Sequence, residues 1–170
     1  MATSRHLLYP GSFDPPTLGH LDLIRRGHAL FPQVTVGVLR NVGKGSPLFG
    51  VEERVSMLKQ LTKGLKGVHV DSFDGLLIDY MRRLKNPVVL RGLRVVSDFE
   101  YEFQMALMNR KLEPSFEVLY LMPDERYSYI SSSLVREVAR LGGPIEKFVP
   151  EAVARRTREA MAAAKGGSDG

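Results

Sequence analysis

Short apolar runs alternate with longer stretches of helical rhythm along this chain, the pattern of a parallel sheet covered by helices on both faces. The runs predict strands at His6 to Tyr9, Val34 to Leu39, Val68 to Val70, Val88 to Leu90 and Val118 to Leu121. Between them, a spacing near 3.6 predicts helices over Gly19 to Phe31, Val51 to Leu61, Leu76 to Leu84 and Asp98 to Leu112. The first puts Leu21, Leu23, Ile24, Gly27, His28, Leu30 and Phe31 on one half of its surface and Asp22, Arg25, Arg26 and Ala29 on the other. It therefore packs one face on the sheet. After the last strand, Ser131 to Leu141 and Glu151 to Ala163 read as two further helices, punctuated by Gly142, Gly143, Pro144 and Pro150.

Right-handed crossovers turn this order into a single Rossmann-like, doubly wound α/β domain with a five-stranded parallel sheet, expected over residues 1–164. Residues 165–170 are small and polar and read as a disordered tail. Such domains bind ligands beyond the carboxyl ends of their strands. Three segments there, Tyr9 to His20, Arg40 to Phe49 and Arg91 to Asp98, are expected to share one crevice.

Charge narrows the choice of ligand. Twenty-four Lys and Arg stand against nineteen Asp and Glu, a net charge of +5. A nucleic acid is one partner for such a chain, but no arginine-rich tail or aromatic-basic repeat supports it. A substrate bearing several phosphates is the other, favoured by Arg82, Arg83, Lys85, Arg91 and Arg94, a run with no acidic residue among them. The N-terminal residues hold no long uncharged apolar run, so neither a secretory signal nor a membrane span is expected, and no membrane partner. With no cysteine to supply thiolate chemistry, the expected location is cytoplasmic.

The segment Tyr9-Pro-Gly-Ser-Phe-Asp-Pro-Pro-Thr-Leu-Gly-His20 joins the first strand to the first helix. Gly11 and Gly19 let backbone approach a ligand, and Ser12 offers a hydroxyl and an N–H. The unpaired N–H groups at the start of the helix favour an anion, and His20 sits in its first turn, able to donate to a phosphate oxygen.

The tetrad Thr17-Leu18-Gly19-His20 resembles the T-x-G-H signature of a nucleotidyltransferase superfamily, and Ile130-Ser-Ser-Ser-Leu-Val-Arg136 resembles its second, serine-rich element. The likeness extends to the phosphopantetheine adenylyltransferase family through Tyr9 to Pro15, Phe49 to Arg54, Arg91 to Arg94, Asp98 to Glu102 and Met108 to Arg110. That resemblance implies transfer of AMP from ATP to 4'-phosphopantetheine with magnesium, in a homohexamer subject to feedback by coenzyme A. It implies ATP contacts at Ser12, Phe13, His20, Gly92, Leu93, Arg94, Glu102, Tyr127, Ser128, Tyr129, Ile130, Ser131, Ser132 and Ser133. Acceptor contacts fall on Ser12, Lys44, Leu77 and Arg91, and His20, Lys44 and Arg94 are the catalytic candidates. Bringing an anionic acceptor against a triphosphate requires cations around both groups. No general base is required, because the attacking phosphate is already ionised, and no protein metal cluster is expected, because magnesium binds largely through substrate phosphates.

Ser12 stands where many relatives have threonine, which keeps the hydroxyl, and Gly50 precedes the second helix where a threonine cap is common. The Lys44 loop is one residue longer than in familiar relatives. Two other readings compete: a nicotinate or nicotinamide mononucleotide adenylyltransferase, which shares both signatures, and a non-catalytic basic nucleic-acid-binding module. The run from Arg91 to Glu102 speaks against the first, and the two phosphate-site signatures speak against the second. The fourth helix carries two apolar stripes, Phe99, Phe103, Ala106 and Leu107 on one side and Tyr101, Met105, Met108 and Leu112 on the other. One sheet covers one stripe, so the second is expected to meet a neighbouring subunit.

Overall fold

The computed structural model describes residues 6–40, 46–85, 87–94 and 96–166. Alternation in the strand runs sorts their side chains between two faces. Leu7 and Tyr9 of β1 (His6–Gly11) point to one layer with Val34, Val36 and Val38 of β2 (Gln33–Leu39) and Leu90 of β4 (Val88–Gly92). Leu21, Leu23 and Ile24 of α1 (Leu18–Leu30) and Leu58 of α2 (Val51–Thr62) close that layer. On the opposite face, Leu8, Val89 and Phe73 pack under Ile78, Tyr80 and Met81, which involves β3 (Val68–Phe73) and α3 (Leu77–Arg83). A third cluster gathers Phe49, Met57, Ile130, Val135, Ile145, Val149 and Val153, tying α5 (Ser132–Arg140) and α6 (Glu151–Gly166) to α2. The last helix, α6, runs through Gly166.

All five strands are parallel, in the order β3-β2-β1-β4-β5, with β5 at Val118–Leu121. The chain winds outward from β1 through β2 to β3, then returns to the other side of β1. The switch point therefore lies between β1 and β4, where a doubly wound sheet opens for ligand. Here the opening has a local cause. β1 and β4 pair only at Leu7 with Val88 and Leu8 with Val89, although both strands run on for three more residues. Pro10 has no N–H for a ladder and is rare in central strands. The seam parts at that end.

The fourth helix, α4 (Val96–Leu112), departs from its sequence reading. Neither stripe is covered: Phe99, Phe103 and Leu107 are about half exposed, as are Tyr101, Met108 and Leu112. The residues facing inward are Glu102, Ala106 and Asn109. The helix meets the sheet through a carboxylate and small groups, Tyr101 and Met105 stand at the edge of that face, and Phe99, Phe103, Leu107, Met108 and Leu112 are exposed.

Candidate active site

At the parted seam lies a crevice of about 290 Å³, walled by the β1 turn, the end of β4, the start of α1 and the start of α5. Its lining includes Ser12, Phe13, His20, Gly92, Arg94, Glu102, Tyr127, Ile130 and the three serines Ser131, Ser132 and Ser133. Two helix N-termini thus open on one polar space, an arrangement that favours phosphate. A second, more apolar crevice of about 390 Å³ adjoins it, with Leu77, Phe73, Tyr101, Met105 and Val118 in its walls. Ser12, Arg91 and Glu102 line both.

His20 is fixed by the start of its own helix. Thr17 is the N-cap: its Oγ1 accepts from His20 N at 3.3 Å, while Thr17 N donates back to His20 Nδ1 at 2.9 Å. This is a capping box with histidine in the place usually held by a carboxylate or amide. The bond at Nδ1 requires a lone pair there, so the neutral ring carries its proton on Nε2 and offers one N–H donor. Burial, followed by the charge of Arg94, pushes the His20 pKa down to about 4. The ring of Phe13 meets His20 edge to face at 4.9 Å, limiting its rotation. The helix starts at Leu18, one residue before the expected Gly19, because Thr17 is the cap.

Arg91 and Glu102 stand between the two crevices as a forked pair. Arg91 Nε donates to Glu102 Oε2 at 2.8 Å, Nη2 donates to Oε1, and Nη1 donates to Pro10 O at 3.1 Å. Burial opposes the guanidinium charge, but the hydrogen bond and charge of Glu102 outweigh it and raise the Arg91 pKa. Tyr120 Oη donates to the Glu102 carbonyl at 3.0 Å, holding that turn of α4. Arg94 Nη1 reaches Ile130 O at 3.3 Å and so links β4 to the serine segment.

That segment has mixed duties. Ser131 caps α5, its Oγ accepting from Leu134 N at 3.1 Å, and Ser132 Oγ donates to Pro15 O at 2.8 Å. Ser133 is exposed and lines the polar crevice.

Beyond geometry, the sequence itself has close counterparts. The cytidylyltransferase-like family model matches residues 8–138. A phosphopantetheine adenylyltransferase of Caldanaerobacter subterraneus subsp. tengcongensis is 52% identical over 155 residues, covering 91% of this chain and 96% of that protein. One from Azoarcus sp. is 55% identical over 146 residues, 86% of this chain and 89% of the other. The chain belongs to the phosphopantetheine adenylyltransferase family. Among solved structures, a putative nicotinate-nucleotide adenylyltransferase from Vibrio parahaemolyticus superposes with a TM-score of 0.63 over 92% of this chain and 93% of that one. A Plasmodium falciparum nicotinic acid mononucleotide adenylyltransferase, complexed with NaAD, gives 0.63 over 94% and 95%. Both are 15% identical, a likeness of fold alone.

With the family in hand, the residues its resemblance singled out can be placed. Ser12, Phe13, His20, Gly92, Arg94, Glu102, Tyr127, Ile130, Ser131, Ser132 and Ser133 surround the polar crevice, while Leu77 and Arg91 border the apolar one. Leu93, Ser128 and Tyr129 are not in either lining: Leu93 N donates to Leu121 O, Ser128 Oγ donates to Glu125 O, and Tyr129 packs on Phe148. Lys44 lies outside the described residues. A Cβ at Gly92 would stand 2.5 Å from Leu23 Cδ1, so a side chain there would oblige Leu23 of α1 to turn aside. At Gly19 the nearest contact would be an ordinary 3.5 Å to Tyr127, so the protein itself leaves room for a methyl group.

Two buried groups lay beyond the sequence reading of the site. Asp14 Oδ2 accepts from Leu48 N at 2.8 Å and Oδ1 from Phe49 N at 2.9 Å, tying the β1 turn to the entry of α2. Arg54 lies beneath them, fully buried. The signal for each was its place in a segment that carries the family resemblance, Tyr9 to Pro15 for Asp14 and Phe49 to Arg54 for Arg54, which says nothing of burial.

Proposed function

We propose that this protein transfers AMP from ATP to 4'-phosphopantetheine, releasing pyrophosphate and forming dephospho-coenzyme A. The observation that carries the reading is the junction of a polar crevice with an apolar one at Ser12 and Arg91, in a chain 52% identical over 155 residues to a phosphopantetheine adenylyltransferase. The polar side suits a triphosphate between two helix N-termini; the apolar side suits a slender amide chain whose phosphate ends at the junction. The acceptor phosphate oxygen attacks the α-phosphorus, the bond to the bridging oxygen breaks, and pyrophosphate leaves with that electron pair. His20 Nε2–H and Arg94 stabilise the charge that develops, Arg91 and Ser12 hold the acceptor phosphate, and Lys44 belongs to the same set of cations.

Magnesium enters as part of the substrate. Glu102, the carboxylate in the polar lining, is already forked to Arg91, and among the described residues no cluster of three metal-ligating groups occurs. That donor set suits a cation carried on the nucleotide phosphates with few protein ligands. Use of ATP goes with a cytoplasmic location and coenzyme A with feedback at the acceptor side. Among the described residues no helix is long and apolar enough to cross a membrane.

Pyrophosphate release with ATP, magnesium and each acceptor tests the reading. Turnover is expected with 4'-phosphopantetheine and at most trace turnover with nicotinate or nicotinamide mononucleotide. Equal rates with both acceptor classes would defeat the assignment.

A homo-oligomer, with the hexamer as its expected form, is part of the same proposal. On the outer surface of α4, Phe99, Phe103, Leu107, Met108 and Leu112 are exposed together, the kind of apolar patch that meets another subunit. Light scattering at micromolar concentration is expected to give a multiple of the 19.0 kDa chain, and Tyr101→Glu with Met108→Glu to shift it toward one chain. A wild-type monomer under these conditions would refute the oligomer.

A further inference from the structure

Arg54 buries a charge where packing alone would seat α2 on the sheet. Its side chain is fully buried, and burial lowers its pKa, opposed by the charges of Asp14 and Glu52. A well-packed apolar residue would hold the helix without that desolvation cost. The guanidinium instead gives four hydrogen bonds to backbone carbonyls at the site's end of the sheet. Nη1 donates to Ser12 O at 2.7 Å and Leu39 O at 2.9 Å, Nη2 to Arg40 O at 3.2 Å, and Nε to Phe49 O at 3.0 Å. These are the ends of β1 and β2 and the entry to α2.

The Ser12 bond has a directional consequence. In a planar trans peptide the carbonyl and the following N–H point opposite ways, so drawing Ser12 O onto Arg54 turns Phe13 N–H away from it. Phe13 has φ of 50°, a region that non-glycine residues seldom occupy and that needs support from outside the turn. Ser12 and Phe13 both line the polar crevice. We infer that Arg54 is a positioning residue for adenylyl transfer: its bond to the Ser12 carbonyl fixes the orientation of the Ser12–Phe13 peptide against the nucleotide phosphates. This rests on the adenylyltransferase reading for its kinetic part only.

The test uses the full chain with phenylalanine selectively labelled with 15N, as wild type, Arg54→Lys and Arg54→Met. Lysine keeps the charge but cannot reach four carbonyls, and methionine keeps the volume but none of the bonds. Two quantities are read: turnover per folded molecule, with the folded fraction taken from circular dichroism at the assay temperature, and the shift of the Phe13 amide when magnesium-ATP is added without acceptor. At least one variant is expected to fold, with turnover per folded molecule down roughly ten- to a hundredfold, the effect of a small misplacement of reacting groups. Its Michaelis constants should change less than about threefold. Its Phe13 response to ATP should be diminished relative to wild type. Both turnover and the Phe13 response must move in a folded variant for the inference to stand. Turnover within about twofold of wild type, an unaltered Phe13 response, or failure of both variants to fold would make Arg54 a folding residue only. Loss of wild-type activity toward 4'-phosphopantetheine would bear on the substrate assignment, while the ATP-induced Phe13 shift reads Arg54 independently of any acceptor.

Discussion

Replacing His20 with alanine is expected to lower turnover by roughly a hundredfold or more, worth about 3 kcal/mol, the usual loss when one preorganised donor to a developing oxyanion is removed. On the proposed reading, ground-state phosphate would be held by backbone N–H groups at two helix starts and by Arg94, so the Michaelis constants should move much less. The capping box adds a stability effect: without the ring, Thr17 N loses its acceptor, a loss of about 1 kcal/mol. The effect on turnover should exceed that many times over at temperatures where the variant is fully folded. Nearly full turnover would reduce His20 to a cap.

The same residue gives a signed pH dependence. Its folded pKa of about 4 lies below the ordinary 6.5, so the unfolded chain takes up the proton first. The His20 contribution to stability is full above about pH 6.5 and is lost as the pH falls toward 4. Chemical denaturation across that window should show a shallower pH slope in His20→Ala than in wild type. An identical slope would mean that the ring is protonated as easily in the fold as outside it. Turnover at pH 6 should not be limited by this group, because the neutral donor persists there.

Arg91→Ala should raise the Michaelis constant for the phosphorylated acceptor roughly thirtyfold, the loss of a charged hydrogen bond of about 2 kcal/mol, with a smaller change in turnover. Its stability effect is large for a separate reason. Glu102 is buried and forked to Arg91, so the substitution leaves a carboxylate without its partner, at a cost of about 3 kcal/mol or more. Adding Glu102→Gln should restore much of the melting temperature while leaving acceptor affinity weak. If acceptor affinity were unchanged in Arg91→Ala, that residue would leave the proposed site.

Strand runs, helix order and the crevice at the strand ends were legible in the sequence because each depends on local periodicity and on the handedness of parallel connections. The role of Thr17 was half legible: a threonine three residues before His20 has capping-box spacing, but histidine is not its usual partner. Arg54 was opaque. Its burial depends on carbonyls from Ser12, Leu39, Arg40 and Phe49, which no local pattern brings together. On α4, periodicity revealed two apolar stripes but not which face meets the sheet, since Glu102 turns inward only because Arg91 of a neighbouring strand receives it. The loop bearing Lys44 contributes nothing to this comparison.

Pro10 and Arg91 together alter what holds the middle of the sheet. Where the ladder between β1 and β4 stops, the Pro10 carbonyl takes a guanidinium N–H in place of a backbone rung. That side chain is thus a stitch in the seam as well as the cation at the junction of the two crevices. An anion that drew Arg91 toward itself would unpick the stitch, and β1 and β4 would be freer to separate at the point where the substrates must meet. Cohesion and recognition would then draw on one group, and the seam would be held more loosely whenever an anion engaged Arg91.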